Sequence, residues 1–304
     1  MTKLMSMEEA VATFVADGAS VLLGAGLEGM IPFAAGHEII RQRRKNLTLL
    51  APISDMLFDQ MIGAGCAATI GAAWVGNVSA GLGHNFRRAC ERGVPSRVVV
   101  RDYSNFTFAL ALQAAAQGVP FLPTRTVLGS DILLTNPDLV EFTSPFTAER
   151  LVAVRALAPD VAFVAVQRAD ADGGAHCWGA LGVAVEACGS CRQLVLVAEE
   201  IVDHEIIASD PNRVLAPAFR VSAVVHEPFA CHPSPVQGCY GRDHDFYHDY
   251  HRETRTADGA ERWLARWVYG VGDRRAYLDL LGADRQTALR VRGPQLAAPV
   301  DYGA

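Results

Sequence analysis

The sequence predicts an α/β fold with a mostly parallel sheet flanked by helices, followed by a helical C-terminal appendage. Up to about residue 225, short apolar segments alternate with longer segments that have helical periodicity. Strands that are apolar on both faces are typical of a parallel sheet covered by helices on either side. After residue 225 a loop rich in Pro, Gly and His leads into polar helices. We therefore expect one domain over residues 1–290, helical from about residue 243, and an irregular tail over 291–304.

The individual elements follow from local signals along the chain. Ser6 is followed three residues later by Glu9, a capping box that predicts a helix over 7–15. Pro32 fits the first turn of a helix that runs to about residue 43. Apolar runs predict strands over 19–23, 47–50, 68–70, 97–101, 161–166, 194–198 and 221–225. Further helices are predicted over 86–92, 106–117, 261–268 and 273–281.

Composition and charge argue against several classes of function. The 304 residues are half hydrophobic and one fifth charged, so the chain can bury a large core. A net charge of −6 gives no reason to expect nucleic acid or an anionic membrane as a partner. Apolar runs fall short of the ~18 residues that span a bilayer, and no signal peptide is recognisable, so we expect a cytoplasmic protein. The seven scattered cysteines do not suggest a disulfide framework.

The segment S-V-L-L-G-A-G-L-E-G-M-I-P, residues 20–32, is the most informative in the chain. Gly24, Gly26 and Gly29 follow an apolar strand at G-x-G-x-x-G spacing, which lets backbone N–H groups approach a ligand. A nicotinamide-binding fold would also need an acid at the end of the second strand, whereas the nearest acid, Asp55, lies beyond a proline. We therefore expect a loop that approaches another kind of ligand. A tight turn that touches no ligand is the alternative.

Four segments, in order, resemble the α (A) subunits of family I CoA-transferases, most of all that of glutaconate CoA-transferase. They are D-G-A-S-V-L-L-G-A-G-L-E-G-M-I-P (17–32), R-D-Y-S-N-F continuing to G-V-P-F-L-P-T-R-T-V-L-G-S-D (101–131), A-P-D-V-A-F-V-A-V-Q-R-A-D-A-D-G (158–173) with V-L-V-A-E-E-I-V (195–202), and P-F-A-C-H-P-S-P-V-Q-G-C-Y-G-R-D (228–243). Together they cover roughly residues 8–250. The resemblance implies a fold of the NagB/RpiA/CoA-transferase type.

The resemblance also implies that this chain works with a homologous β subunit, in an α2β2 or higher heteromer. In that family a β-subunit glutamate attacks an acyl-CoA thioester, and the CoA then passes through a glutamyl–CoA thioester to a carboxylate acceptor. No permanently bound cofactor is implied. This chain's Glu28, Glu91 and Glu186 do not stand in the segment that matches the nucleophile. We therefore expect no catalytic nucleophile in this chain.

Two departures from the family pattern bear on the reaction. Ala25 replaces the second of the family's paired glycines, and Gly173-Gly174 stands where Gly-Asn is usual. A related branch hydrolyses ring-derived acyl-CoA substrates or cleaves their carbon–carbon bonds, using an acid where this chain has Asn105. Transfer is therefore favoured, with a subunit of such a hydrolase as the first alternative. A non-catalytic subunit that binds acyl-CoA is the second.

The predicted substrate- or CoA-binding residues follow three strands, together with one arginine further along the chain. Ligands in parallel sheets bind outside the carboxyl ends of the strands, which is where these residues stand. They are Gly24, Ala25, Gly26, Gly29, Trp74, Val75, Gly76, Asn77, Tyr103, Ser104, Asn105 and Arg125. Structural roles are the alternatives: a core position for Trp74, helix capping by Ser104 or Asn105, and an ion pair between Arg125 and Asp131.

Other polar clusters do not match a known site pattern. His244, His248 and His251 fall on one helical face, with His226 and His232 earlier in the chain, but the spacing is not that of a zinc site. Cys188 and Cys191 lack a second pair. For Glu199 and Glu200, which end an apolar strand, we expect an interface or salt-bridge role. We predict no metal site.

Overall fold

The computed structural model describes residues 2–292, so the predicted tail lies outside the described residues from residue 293 onward. The strands are β1 (Leu4–Met5), β2 (Ser20–Leu23), β3 (Leu47–Ile53), β4 (Ala67–Trp74), β5 (Val99–Asp102), β6 (Phe121–Thr124), β7 (Leu139–Thr143), β8 (Arg150–Arg155), β9 (Val161–Ala169), β10 (Ala175–His176), β11 (Gln193–Ile201) and β12 (Val221–His226). The α-helices are α1 (Met7–Phe14), α2 (Phe33–Arg41), α3 (Asp55–Gly63), α4 (His84–Arg92), α5 (Asn105–Ala116), α6 (Ile132–Thr135), α7 (Ala184–Ser190), α8 (His204–Ala208), α9 (His244–Glu253), α10 (Ala257–Leu264), α11 (Arg274–Leu281) and α12 (Ala283–Leu289).

The main sheet has the strand order β1-β12-β11-β9-β2-β3-β4-β5, and each neighbouring pair in that order is parallel. Among the strands of this sheet within residues 2–292, only the short β10 runs antiparallel, on β9. The predicted mostly parallel sheet is therefore confirmed. Because the strands run the same way, their carboxyl ends meet at one edge of the sheet.

Two hydrophobic layers cover the sheet. Successive residues of a strand point to opposite faces, so Val161 and Phe163 of β9 enter one layer and Ala162 and Val164 enter the other. Helices α1 to α4 and α9 to α11 build the first layer, with buried residues such as Phe33. Helices α5 and α7 contribute to the second. Burial on both faces explains why these strands are apolar without alternation.

A three-stranded antiparallel sheet, in the order β6-β8-β7, was not predicted from the sequence. It packs on the α5 side through alternate residues such as Val152 and Val154, while its other face is partly exposed. The edge strand β6 contains Pro123, and an edge strand tolerates the missing N–H. A proline in a four-residue strand gave no usable strand signal in the sequence.

Several boundaries differ from the predictions. The capping box is confirmed, because Ser6 Oγ accepts from the Glu9 N–H at 3.1 Å and Glu9 accepts from the Ser6 N–H at 2.9 Å. Pro32 is the residue before α2, not a member of its first turn. Strands β3 and β4 extend to Ile53 and Trp74, which pair with each other. Pairing between neighbouring strands thus continues past the residues at which each apolar run was expected to stop.

The C-terminal helices are present and pack against the sheet's first layer. Their core is aromatic and includes Phe246, Tyr250, Trp263 and Tyr277. The helix expected over 261–268 begins earlier, as α10, and continues into a π-helical turn, Ala265–Tyr269. Within residues 2–292, no helix has both the length and the apolar character needed to cross a membrane.

Candidate functional site

The predicted site residues lie mostly along the edge where β2 to β5 end. The loops after β2, β4 and β5 hold nine of the twelve residues. Trp74 is the last residue of β4, not a residue beyond that strand as predicted, Asn105 is the first residue of α5, and Arg125 follows β6. The strands lie in the order β2-β3-β4-β5, so the loops after β4 and β5 are neighbours, and the end of β3 separates them from the loop after β2. The common edge was therefore predicted correctly, whereas a binding role for each side chain stays a prediction.

The glycine loop, residues 24–29, is a tight turn in which Gly24 and Gly26 have no room for a side chain, whereas a Cβ at Gly29 would meet only ordinary contacts. Gly24 has φ +89°, and a Cβ there would lie 3.1 Å from the Ile53 carbonyl oxygen. A Cβ at Gly26 would lie 2.6 Å from the carbonyl oxygen of Gly29, whose own N–H donates back to Gly26 at 3.3 Å. Leu27 has φ 62°, which is strained for a residue with a side chain. The sequence therefore needs glycine here for steric reasons.

The same turn presents backbone donors that the chain does not use. Within residues 2–292, the N–H groups of Gly26, Leu27 and Glu28 donate to no acceptor. The residue after the turn, Met30, is tied down, because its N–H donates to the Pro235 carbonyl oxygen at 2.8 Å. Three consecutive amides on a fixed turn form a site at which negative charge can be stabilised.

A buried carboxylate organises the loops on either side of β4. Asp55, with φ +57°, accepts hydrogen bonds from the N–H groups of Met56 at 2.8 Å and Val78 at 3.2 Å, and from the Tyr247 hydroxyl. Burial raises the pKa of the Asp55 carboxyl to about 6, against the opposing effect of these hydrogen bonds. Asp55 was noted in the sequence only as a residue too far along to bind a ribose, so its structural role was missed.

The loop after β4 mixes exposed and inward-facing residues. Trp74 remains 37% exposed at the strand end, so the alternative of a buried core position is wrong. Gly76 lies so close to the Trp74 ring that a Cβ would approach it to 2.5 Å. Asn77 is only 1% exposed and donates to the Tyr247 carbonyl oxygen at 2.8 Å. Asn77 therefore supports the loop from inside the protein. The Trp74 side chain is accessible and could form part of the wall of a binding pocket.

At the start of α5, capping and availability fall to different residues. Ser104 caps the helix, accepting from the Thr107 N–H at 3.0 Å. Tyr103 is buried, and burial raises the pKa of its hydroxyl to about 12. Asn105 is exposed, and its side chain makes no hydrogen bond to any residue in the range 2–292. Of these three residues, Asn105 is the one whose polar group is open to a ligand.

The ion pair between Arg125 and Asp131, the structural alternative to a binding role for Arg125, is not formed. Arg125 directly follows β6, is exposed, and pairs with Glu149 from the segment between β7 and β8. Asp131 is exposed and directly precedes α6. The unpredicted three-stranded sheet explains the difference, because it brings Glu149 rather than Asp131 to Arg125.

A cavity of about 500 Å³ lies at the carboxyl ends of β9 and β11. Strand β9 also pairs with β2, the strand that leads into the glycine loop. Sequence reasoning singled out only its two glutamates, and assigned them to an interface or salt bridge. Glu199 instead accepts from the Tyr240 hydroxyl at 2.7 Å and from the Phe229 N–H at 2.8 Å. Neither glutamate forms an ion pair among the described residues. The apolar runs 161–166 and 194–198 predicted these two strands, but their adjacency, which forms the cavity, could not be read from the sequence.

The Glu199 carboxyl makes the stability of the fold depend on pH. Burial raises its pKa from 4.5 to about 7. Between these two pH values, Glu199 therefore holds a proton in the folded state that it loses on unfolding. Its stabilising contribution is complete below pH 4.5 and is lost as the pH rises through about 7. We expect the unfolding free energy of the wild type, relative to Glu199→Gln, to fall by about 1–2 kcal/mol from pH 5 to pH 8, allowing for solvent at this half-buried group. Chemical denaturation at each pH measures these free energies. If those of the wild type and of Glu199→Gln changed in parallel with pH, the pKa of Glu199 would be that of an ordinary glutamate.

The histidines and cysteines have other partners. His232 is buried between the Tyr277 hydroxyl at 2.8 Å and Asp243 at 2.9 Å, and burial lowers its pKa to about 4. His248 contacts the Ser79 carbonyl oxygen at 3.1 Å. Across residues 2–292, no group of three or more possible metal ligands is gathered. Cys188 and Cys191 are buried thiols, and burial raises the pKa of Cys191 to about 11.

Comparisons with known proteins identify a family and several relatives of this chain. The family model described as coenzyme A transferase matches residues 4–227. The A subunit of a 3-oxoadipate CoA-transferase from Pseudomonas knackmussii is 37% identical over 273 residues, which cover 90% of this chain and 96% of that protein. The crystal structure of glutaconate coenzyme A-transferase from Acidaminococcus fermentans superposes with a TM-score of 0.90 at 30% identity, covering 99% of both chains. A cholesterol ring-cleaving hydrolase IpdA subunit from Mycobacterium tuberculosis is 29% identical over 203 residues, covering 62% of this chain and 68% of that protein.

Proposed function

The chain belongs to the coenzyme A transferase family and corresponds to the A subunits of its relatives, and from that premise we propose how it works. It supplies one wall of a catalytic pocket, and a homologous β subunit supplies a glutamate nucleophile. CoA moves from an acyl-CoA to a carboxylic acid by way of a glutamyl–CoA thioester on that partner. The pocket wall consists of the glycine loop together with Trp74 and Asn105.

The three unused amides of the glycine loop are the observation that carries this proposal. When a carboxylate attacks a thioester carbonyl, the oxygen becomes an oxyanion and the thiolate then leaves, forming a mixed anhydride. Fixed N–H donors stabilise that oxyanion more than they stabilise the neutral thioester. Gly26, Leu27 and Glu28 offer such donors at the strand edge.

The carboxylates near this loop are poorly suited to be the nucleophile, which supports a partner as its source. Asp55 is buried and accepts three hydrogen bonds. Glu199 is held by Tyr240 and Phe229. Glu28 lies 3.9 Å from the Arg242 guanidinium. A nucleophilic carboxylate needs an open approach to the thioester carbon, and the buried Asp55 lacks one.

For the substrate, we propose a short dicarboxylic acyl group. Two of the relatives are named for 3-oxoadipate and glutaconate, both of which are short dicarboxylic acids. A panel of acyl-CoA donors of increasing chain length, with and without a second carboxylate, tests the assignment through kcat/KM. We expect the dicarboxylic donors to be preferred over monocarboxylic donors of equal length. Equal values for both types would rule out the dicarboxylic assignment.

Hydrolysis is the second candidate, favoured by the similarity to the ring-cleaving hydrolase subunit. Asn105 is exposed at the start of α5, but a neutral amide cannot take a proton from water as a carboxylate can. We therefore expect isotopically labelled acid to appear in the acyl-CoA product when the α–β complex is incubated with an acyl-CoA. Release of free CoA without labelled product would favour the hydrolase.

The remaining proposals concern organisation. We propose a single domain over residues 1–290, an α2β2 assembly with two β subunits, and a cytoplasmic location. Acyl-CoA and carboxylate enter as substrates, with no permanently bound cofactor. Native mass spectrometry of the co-expressed subunits would test the stoichiometry. A stable complex with unequal numbers of the two subunits would contradict it.

A further inference from the structure

We infer that Arg242 is a positioning residue that holds the glycine loop in the shape that presents its amides. The inference rests on the proposed role of that loop in thioester chemistry, but the loop's restraint can also be measured without any activity. Arg242 does not reach the proposed path of the substrate, since its side chain is fully buried behind the loop.

The contact between Arg242 and the loop is direct. Its Nη2 donates to the carbonyl oxygen of Glu28 at 2.9 Å, and the Ser234 hydroxyl donates to the same oxygen at 3.4 Å. That carbonyl belongs to the peptide that closes the turn onto Gly29. A charged donor forms a stronger hydrogen bond than a hydroxyl does, so Arg242 is the main restraint. The positive charge of Arg242 also attracts the negative charge of the Glu28 carboxylate, which lies 3.9 Å away.

On its other side, Arg242 joins a buried unit that reaches the neighbouring loops. Its guanidinium lies 5.6 Å from the centre of the Tyr247 ring. The Tyr247 hydroxyl donates to Asp55, which lies just after β3. The carbonyl oxygen of Tyr247 accepts a hydrogen bond from Asn77, which lies after β4. Through Tyr247, helix α9 therefore contacts the groups that fix the loops after β2, β3 and β4. We call Arg242, Tyr247, Asp55 and Asn77 the loop anchor.

The cost of burying Arg242 argues that it does more than stabilise the fold. Its Nε and Nη1 atoms are buried and make no hydrogen bond within residues 2–292. Burying a guanidinium with unsatisfied donors is unfavourable, and an apolar residue of similar volume is often as stable or more so. What distinguishes Arg242 is that its one strong hydrogen bond is directed at the glycine loop, which points to the positioning of that loop as its role.

The test compares Arg242→Gln and Arg242→Lys with Arg274→Gln in the purified α–β complex. Arg274 is a matched control, because it is also buried and donates to backbone carbonyl oxygens, those of Phe229 and His232, away from the glycine loop. Trapping the glutamyl–CoA adduct counts the competent sites, so that kcat is expressed per competent site. We expect Arg242→Gln to lower this kcat about 30- to 300-fold with KM for acyl-CoA changed by less than about threefold. Arg242→Lys should recover part of the loss, and Arg274→Gln should keep the wild-type kcat per site.

Hydrogen exchange supplies a readout that is independent of turnover. The hydrogen-bonded amides of the loop, those of Gly29 and Met30, should exchange at least about tenfold faster in Arg242→Gln than in the wild type or in Arg274→Gln. A wild-type kcat per site in Arg242→Gln, or unchanged exchange in the loop, would overturn the inference. Faster exchange in a complex whose wild type transfers no CoA would instead contradict the proposed function and leave the positioning role in place.

Discussion

Purified without a companion chain, this protein is expected to exchange CoA between an acyl-CoA and a free acid at roughly a thousandth or less of the rate of the reconstituted α–β complex. The glycine loop is proposed to stabilise an oxyanion, but the carboxylates of Asp55 and Glu199 are both held by hydrogen bonds, which makes them poor nucleophiles. Without a nucleophile, donors alone give only the small acceleration that comes from binding and charge stabilisation. The measurement is the initial rate of acyl-CoA formation with a labelled acid, at matched concentrations of this chain.

Two controls make this result decisive. By itself, the β subunit should be as inactive as this chain, and mixing the two should restore turnover. A β subunit in which the proposed nucleophile is changed from Glu to Gln should form the complex without restoring it. If this chain alone turned over at a rate comparable to that of the complex, the nucleophile would lie within it.

The second large effect is expected for Gly26→Ala, which should lower kcat of the complex about 100-fold or more. The new Cβ would lie 2.6 Å from the Gly29 carbonyl oxygen and 3.2 Å from the Met30 Cβ. Because the nearest obstacle is backbone, the turn must open, and the three unused amides are displaced. Binding of acyl-CoA should change less, since much of the CoA lies away from the reacting carbonyl.

Gly272→Ala is the matched control for this substitution. A Cβ at Gly272 meets nothing within 4 Å, and its φ is outside the left-handed region, as is that of Gly26. We expect wild-type kcat from this variant, and thermal melting of both complexes shows whether folding is affected. A Gly26→Ala complex that melts normally and retains full kcat would show that the glycines serve only to close the turn.

The layered architecture was predictable because the buried strands carry an unambiguous signal. Strands β9 and β11 are apolar on both faces, as a sheet covered by two helical layers requires. The three-stranded sheet escaped because its strands are short, one face is exposed, and Pro123 interrupts the first of them. Half-exposed strands do not produce a continuous apolar run.

The candidate site was predictable in position but not in its supporting contacts. The loops could be located because parallel strands bring their carboxyl ends to one edge. The loop anchor could not be found, because Tyr247 and Asp55 are distant in sequence and only the packing of α9 brings them together. For the same reason Asn77 was expected to face a substrate, whereas it faces Tyr247. The spacing of residues along the chain predicts local geometry, but it does not predict contacts between residues that are so far apart in sequence.

The strand order has a consequence for how the chain acquires its structure during synthesis. Val21 of β2 pairs with Leu49 on one side and with Val161 on the other. Strand β1 pairs through Leu4 with Val224. A growing polypeptide can join β2 to β3 early, but the opposite edge of β2 stays open until β9 has left the ribosome, and β1 waits longer still. Such non-local pairing slows folding and leaves an apolar edge open to other unfinished chains. Slow synthesis or limited chaperone capacity should therefore favour aggregation of this protein before its sheet is complete.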